Sequence, residues 1–190
     1  MVEREFPLAP LVGVGGVVVH EDRVLLVQRG TEPLRGRWTI PGGLIDVGET
    51  LREAVIREVK EETGLDVEPL ELIELLDRID REDERVRYHY VIADYLCRVT
   101  GGTLEAASDA AAARWVERVE WNPGVCDLNS PNSDPSSRTT EPRAPGCAFS
   151  IDPITTRVIE AAWQQAHSLA STSAAFGDAG IYPCSSRDCG

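Results

Sequence analysis

Apolar residues fall along the chain in short blocks rich in valine, isoleucine and leucine, with turn-forming residues between them. Blocks of this kind, above all those in which every second residue is apolar, are typical of β-strands. Glu21 and Asp22 form a two-residue turn between the first two blocks, which predicts a hairpin. The predicted strands are 12–20, 24–28, 65–76, 86–99 and 114–119.

Two further stretches repeat apolar residues every three or four positions, which is the period of an amphipathic α-helix. The first begins at Thr50 and ends before Gly64, a residue that is common directly after a helix. The second covers 154–169 and follows Pro153, which favours a helix start. The prolines and glycines of 31–43 predict a loop before the first helix.

Two other segments show no periodicity. Residues 122–150 contain five prolines among serines, asparagines and threonines, and residues 171–190 are small and polar. Segments of this composition bury too little apolar surface to fold. We therefore expect one domain over 8–170 with a disordered insertion at 122–150, followed by a disordered C-terminal tail at 171–190.

The charge of the chain narrows its partners. The 190 residues carry a formal net charge of −13, with a pI near 4.6. So negative a surface repels phosphate backbones, which argues against general binding of nucleic acid. The same repulsion acts on any small molecule that bears phosphate, so phosphate chemistry in this chain requires a metal cation.

The sequence also bears on the compartment. No run approaches the roughly 18 apolar residues that a spanning helix requires, and residues 1–10 include Glu3, Arg4 and Glu5 and no long apolar stretch, so we expect no membrane segment and no signal peptide. The five cysteines form no CxxC pair of the kind that zinc sites use. We interpret them as incidental thiols, which predicts a reducing, cytoplasmic location.

Three glutamates gather on one side of the first predicted helix, because Glu58, Glu61 and Glu62 are spaced by three and four residues. Like charges at these spacings cost a few tenths of a kcal/mol each, and acids near a helix C-terminus oppose its dipole. A bound divalent cation would reverse both effects. The alternative is a solvated face with ion pairs, in which Arg57 lies between Glu53 and Glu61.

The residues before and within this helix follow a longer pattern. It resembles the Nudix box, G-x5-E-x7-R-E-U-x-E-E-x-G-U with U aliphatic, and matches it at every specified position. Seven fixed residues would coincide by chance at on the order of 10⁻⁹ per starting point. The fixed positions are Gly43, Glu49, Arg57, Glu58, Glu61, Glu62 and Gly64.

The resemblance implies an α/β protein with the Nudix fold, an α/β/α sandwich around a mixed β-sheet in which the box forms a loop–helix–loop. It also implies that Glu58, Glu61 and Glu62 hold Mg²⁺, with Mn²⁺ as the alternative ion, helped by the backbone carbonyl of Gly42 or Gly43. Such a metal would neutralise a diphosphate and lower the pKa of a bound water. The implied activity is that of a Nudix hydrolase.

The expected catalytic residues are Glu58, Arg57 and Asp109. Nudix proteins place the general base either at the Glu58 position or in a loop before the last strand, where Asp109 or Glu105 is the local candidate. We expect Glu58 to be the base and Asp109 to be an outer ligand or water holder, or else a plain loop residue. Arg57 would pair with Glu49 and fix the loop onto the helix, which is a supporting role. The expected structural residues of the box are Gly43, Glu49 and Gly64.

Three residues near the box are candidates for substrate contacts. Arg29 and Arg37 could reach a phosphate, and Trp38 could stack a base, although solvated arginines and a core aromatic are the alternatives. Residues 78–97 are similar to bacterial ADP-ribose pyrophosphatases, so the favoured partner is a small-molecule nucleotide, ADP-ribose or a related nucleotide sugar. The alternatives are a (d)NTP-sanitising pyrophosphohydrolase and a non-catalytic nucleotide-binding Nudix module. Nudix proteins are frequently dimers, so a homodimer is a further expectation.

Overall fold

The computed structural model describes residues 3–30, 35–106, 110–118 and 153–175. No helix in these ranges is both long and apolar enough to cross a membrane. The elements in chain order are β1 Leu11–His20, β2 Arg23–Arg29, β3 Trp38–Thr39, β4 Gly42–Leu44, α1 Leu51–Thr63, β5 Leu65–Glu82, β6 Arg85–Gly102, β7 Ala110–Glu117 and α2 Pro153–Ala175.

The strands form a mixed sheet. The predicted first hairpin is present, with Val19 opposite Val24, but its two strands pair beside the turn and then separate. β1 continues between β4 and β6, and it runs parallel to β6, whereas β2 continues between β3 and β7. β5 and β6 form a long antiparallel hairpin at the other side. The path β3-β2-β1-β6-β5 therefore combines parallel and antiparallel pairs.

One helix covers each face of the sheet. Val55 and Val59 of α1 are fully buried in a cluster that includes Val18 of β1. Ile159 of α2 is fully buried in a second cluster that includes Val17. Because successive residues of a strand point to opposite faces, the burial of both Val17 and Val18 shows that both faces are covered. The architecture is thus the α/β/α sandwich that the resemblance implies.

The elements differ from the sequence prediction mainly at their ends. β5 and β6 run beyond the predicted 65–76 and 86–99, because backbone pairing continues where the residues become polar. β4 was not predicted, since its two glycines have low strand propensity. Helix α2 continues to Ala175, so the first five residues of the expected disordered tail are helical. The rest of that tail, and the insertion expected at 122–150, lie outside the described residues.

Candidate active site

The helix that carries the acidic cluster is fixed at both ends. The Thr50 hydroxyl accepts the N–H of Glu53 at 3.3 Å, and the Glu53 carboxylate accepts the N–H of Thr50 at 2.9 Å, which is a complete capping box. Gly64 ends the helix at φ +72°, a left-handed conformation that suits glycine, and donates its N–H to the Lys60 carbonyl. The phase of α1 is therefore set, and with it the direction of the acidic side chains.

Arg57 binds the preceding loop to α1. Its Nε and Nη2 donate to the two oxygens of Glu49, both at 2.8 Å, and Nη2 also donates to the Leu44 carbonyl at 3.1 Å. This bidentate ion pair is the one that the resemblance implies. The hydrogen bonds from Arg57, followed by that from the Asp46 N–H, lower the pKa of Glu49 from 4.5 to about 2. The hydrogen bonds to Glu49 in turn raise the pKa of Arg57.

The three box glutamates have different surroundings. Glu62 is 7% exposed, and its Oε2 accepts the N–H of Gly42 at 3.0 Å. The side chain of Glu58 is 14% exposed, and its Oε1 lies 2.8 Å from Nη1 of Arg57. Glu61 is 51% exposed and contacts the same Nη1 at 3.3 Å. Two of the three carboxylates are therefore held beneath the loop, while the third faces solvent.

Two glycines allow the loop to lie this close. A methyl group on Gly43 would overlap the carboxylate of Glu58, with only 2.6 Å to its Oε2. A methyl group on Gly42 would overlap the carbonyl oxygen of Val14 and lie 2.9 Å from the Cα of Gly15. A side chain at Gly43 would thus displace a carboxylate, whereas one at Gly42 would meet the backbone of the neighbouring strand.

A cavity of about 300 Å³ opens beside these carboxylates. Its lining includes Gly42 and Gly43 of the loop, the start of α2 at Ile154, and one face of β6. The volume is at the lower end of the range for small-molecule sites. Seven charged residues line it: Arg4, Arg29, Arg78, Glu58, Glu62, Asp80 and Asp94.

Comparison with known proteins agrees with this arrangement. A family model described as NUDIX domain matches residues 9–128, which is more than half of the chain. The chain belongs to the Nudix family. It is 36% identical over 110 residues to the ADP-ribose pyrophosphatase of Methanocaldococcus jannaschii, a match that covers 58% of this chain and 63% of the relative. It is 39% identical over 104 residues to the human 8-oxo-dGDP phosphatase NUDT18, covering 53% of this chain and 30% of the relative.

The chain therefore spans 63% or less of the length of these two curated relatives.

Solved structures agree with the Nudix fold. The MutT NUDIX hydrolase of Burkholderia pseudomallei superposes with a TM-score of 0.57 at 26% identity, covering 80% of this chain and 97% of that one. The sandwich expected from the box is thus confirmed by the fold as well as by the family match.

The structure brings together only some of the expected Nudix site residues. Glu61, Arg37 and Trp38 do not line the cavity that the described residues form. Trp38 packs instead against the core beneath α2, which was the alternative for it. Asp109 lies outside the described residues, so its role stays a prediction. The expected site residues that do line the cavity are Glu58, Glu62, Gly42, Gly43 and Arg29.

Several lining residues were not predicted. Asp94 is 3% exposed and lies beside the Cα of Gly15, where a methyl group would overlap its carboxylate. The sequence feature that could have identified Asp94 is the alternation of the strand at 86–99, because that pattern places Asp94 on the same face as Tyr88 and Tyr90. Arg4 had no signal, since the segment before β1 shows no periodicity.

The box fits a hard divalent cation by the chemistry of its donors. Two largely buried carboxylates, from Glu58 and Glu62, lie against a glycine backbone that leaves room for an ion, and oxygen ligands of this kind suit Mg²⁺ or Mn²⁺. Within the described ranges, no three acidic, histidine or cysteine side chains already converge as a metal site. Arg57 is one reason that the box carboxylates do not converge, because its Nη1 donates hydrogen bonds to Glu58 and Glu61. A cation would compete with that guanidinium.

Proposed function

We propose that the chain catalyses the Mg²⁺-dependent hydrolysis of a diphosphate linkage in a nucleoside diphosphate derivative, with ADP-ribose or a related nucleotide sugar as the favoured substrate. One observation carries the proposal: the box carboxylates Glu58 and Glu62 line a cavity of small-molecule size that also contains arginines. A protein of net charge −13 can hold a phosphorylated substrate only where cations offset its field. The relative from Methanocaldococcus jannaschii supports the choice of ADP-ribose.

In this proposal Glu58, Glu61 and Glu62 would hold the metal, with a backbone carbonyl of Gly42 or Gly43. When bound, Mg²⁺ supplies charge to neutralise the diphosphate and to lower the pKa of a water; Mn²⁺ is the alternative ion. Its donors are already partly desolvated, since Glu62 is buried and Glu58 nearly so. This desolvation strengthens their attraction for a cation.

The chain's own residues have separate roles. Glu58 accepts the proton of the attacking water, because its carboxylate is directed at the cavity from a fixed helix. Arg57 holds that carboxylate at 2.8 Å, and Glu49 in turn fixes Arg57. Arg29, at the end of β2, contacts a phosphate oxygen of the substrate. Arg57 and Glu49 thus position the base and do not touch the reacting atoms.

A second candidate is the hydrolysis of an oxidised guanine nucleotide. The resemblance to human 8-oxo-dGDP phosphatase favours it, at an identity close to that of the ADP-ribose pyrophosphatase. The products separate the two: ADP-ribose gives AMP and ribose 5-phosphate, an oxidised diphosphate gives a monophosphate and phosphate, and an oxidised triphosphate gives a monophosphate and pyrophosphate.

The test is product analysis with Mg²⁺, Mn²⁺ or EDTA, on the wild type and two variants. Glu62→Gln keeps an oxygen that can accept the Gly42 N–H but removes the charge, so turnover should fall by at least about 100-fold. Glu71→Gln, on the exposed side of β5, is the matched control and should keep wild-type turnover. Hydrolysis that survives EDTA or Glu62→Gln would refute the proposal, and ADP-ribose binding without turnover would indicate a binding module.

A further inference from the structure

Residues 3–10, here called the N-terminal arm, lie against the outer part of β6. The Phe6 N–H donates to the Arg87 carbonyl at 2.7 Å. Glu5 Oε1 accepts the Tyr88 hydroxyl at 2.5 Å and Arg87 Nη2 at 3.1 Å. The guanidinium of Arg85 lies 4.1 Å from the centre of the Phe6 ring, which is a cation–π contact. The arm is therefore anchored by three kinds of contact to one strand.

The backbone of the arm bends at this anchor. Phe6 has φ +52°, a left-handed conformation that is unfavourable for a bulky side chain. Such conformations cost of order 1–3 kcal/mol and persist where the surroundings impose them. Here the contacts of Glu5 and Phe6 with β6 impose it, and Arg4, two residues before the bend, lines the cavity. Arg4 makes no ion pair within the described part of the chain.

The cavity has two ends along β6. Asp94 is in register with Gly15, and Gly15 with Gly42, so Asp94 marks the end beside the Nudix box. Tyr90 lies four residues away on the same face, roughly 13 Å along the strand at about 3.3 Å per residue. There it pairs with Arg78 of β5. A substrate whose diphosphate lies at the box would thus place a distal group at the tyrosines.

We propose that this outer end is a nucleobase subsite, in which the base stacks on Tyr90 and is covered by Arg4. The assignment rests on the proposed function, which puts the diphosphate at the box end. Tyrosine rings and arginine guanidinium groups are side chains on which nucleobases stack. Tyr90 is half-buried, so part of its ring is accessible, whereas Tyr88 is buried and its hydroxyl holds Glu5.

The pairing of Arg78 with Asp80 and the presence of two tyrosine rings favour a base at this end over another phosphate. Arg78 lies 3.6 Å from Asp80, so its charge is already partly offset. The rings of Tyr88 and Tyr90 lie 6.2 Å apart at 17°, nearly parallel, and present an aromatic surface. Glu5 acts as a positioning residue: it does not line the cavity but fixes the arm that carries Arg4.

The test compares the binding of AMP with that of ribose 5-phosphate, measured by calorimetry in the presence of Mg²⁺. Tyr90→Leu should weaken AMP binding about tenfold and leave ribose 5-phosphate unchanged, and Tyr90→Phe should restore AMP binding because the ring is what stacks. Arg4→Ala should weaken AMP binding about threefold. Arg81→Ala, an exposed arginine of the same hairpin outside the cavity lining, should have no effect. Arg4 is exposed, so its variant carries the test if Tyr90→Leu does not fold.

Glu5→Ala tests the positioning role, because it removes the acceptor for Tyr88 and Arg87, and Glu3→Ala is its control on the same arm. The loss of the anchor should raise KM for ADP-ribose about threefold without changing kcat, since the box is untouched. AMP affinity that is equal in the wild type, Tyr90→Leu and Arg4→Ala would overturn the subsite even if hydrolysis is normal. Absence of Mg²⁺-dependent hydrolysis by the wild type would overturn the proposed function alone, because AMP binding is measured without turnover.

Discussion

Replacing each of the adjacent glycines Gly42 and Gly43 by alanine should affect different properties of the protein. At Gly42 the new methyl group meets the backbone of Val14 and Gly15, which belongs to the central strand and cannot move alone. At Gly43 its three nearest atoms all belong to the carboxylate of Glu58, the far end of a flexible side chain. The first substitution should therefore cost stability, and the second should cost function.

The magnitudes follow from the distances. In Gly42→Ala the new Cβ would lie 2.9 Å from the Gly15 Cα, which is well inside van der Waals contact. Overpacking of this kind lowers the free energy of unfolding by about 2 kcal/mol, which lowers the midpoint of thermal unfolding by about 4–8 °C. In Gly43→Ala the Glu58 carboxylate must move by roughly 1 Å, which costs less than about 1 kcal/mol of stability. A displacement of that size in a catalytic group can cost about 100-fold in rate.

The assay is thermal unfolding together with kcat/KM for ADP-ribose at saturating Mg²⁺. Gly101→Ala is the matched control, because its methyl group would make an ordinary contact of 3.4 Å with Asp66, and it should change neither quantity. Full activity in a folded Gly43→Ala protein would show that catalysis does not depend on the position of the Glu58 carboxylate, which would contradict the prediction. A large loss of stability in Gly43→Ala would show that the carboxylate cannot yield, and the reasoning would be wrong.

Three further predictions concern the frame around the site. The pKa of Glu49 is lowered to about 2. The stability that comes from its pairing with Arg57 is therefore fully present above pH 4.5 and is lost as the pH falls through about 2. Glu49→Gln should remove this part of the pH dependence of the free energy of unfolding, measured with urea. Thr50→Ala should lower the free energy of unfolding by about 1 kcal/mol, and Thr50→Ser should retain it. Burial raises the pKa of Cys97 to about 12, so alkylation at pH 8 followed by peptide mass spectrometry should find Cys97 unmodified until the protein unfolds.

The parts of the fold that could be predicted are those with strong local signals. Helix α1 has its cap at Thr50 and its stop at Gly64, and both are visible in the sequence because they act within a few residues. The box identified the family, since seven fixed residues leave little room for coincidence. The outer end of β5, residues 77–82, lacked an apolar pattern, so its length depended on backbone pairing that the sequence does not display.

Apart from Arg29, the part of the site that could be predicted consists of residues that are close in sequence. Glu58 and Glu62 share a helix, and their common face follows from its period. Asp94 and Arg4 reach the same cavity through the parallel pairing of β1 with β6 and through the bend at Phe6. Neither feature has a local signature. The contact of Arg57 with Glu58 was also not anticipated, because the expected partners of Arg57 on the helix surface were Glu53 and Glu61.

Helix α2 has a practical consequence for anyone who trims this protein for expression. The family match stops at residue 128, whereas Val158, Ile159 and Trp163 lie beyond it and are buried almost completely in the core. Each such side chain is worth roughly 1.5–3 kcal/mol, so their removal would take away an amount comparable with the whole stability of an ordinary domain. A fragment cut at the matched boundary would expose one face of its sheet and should aggregate.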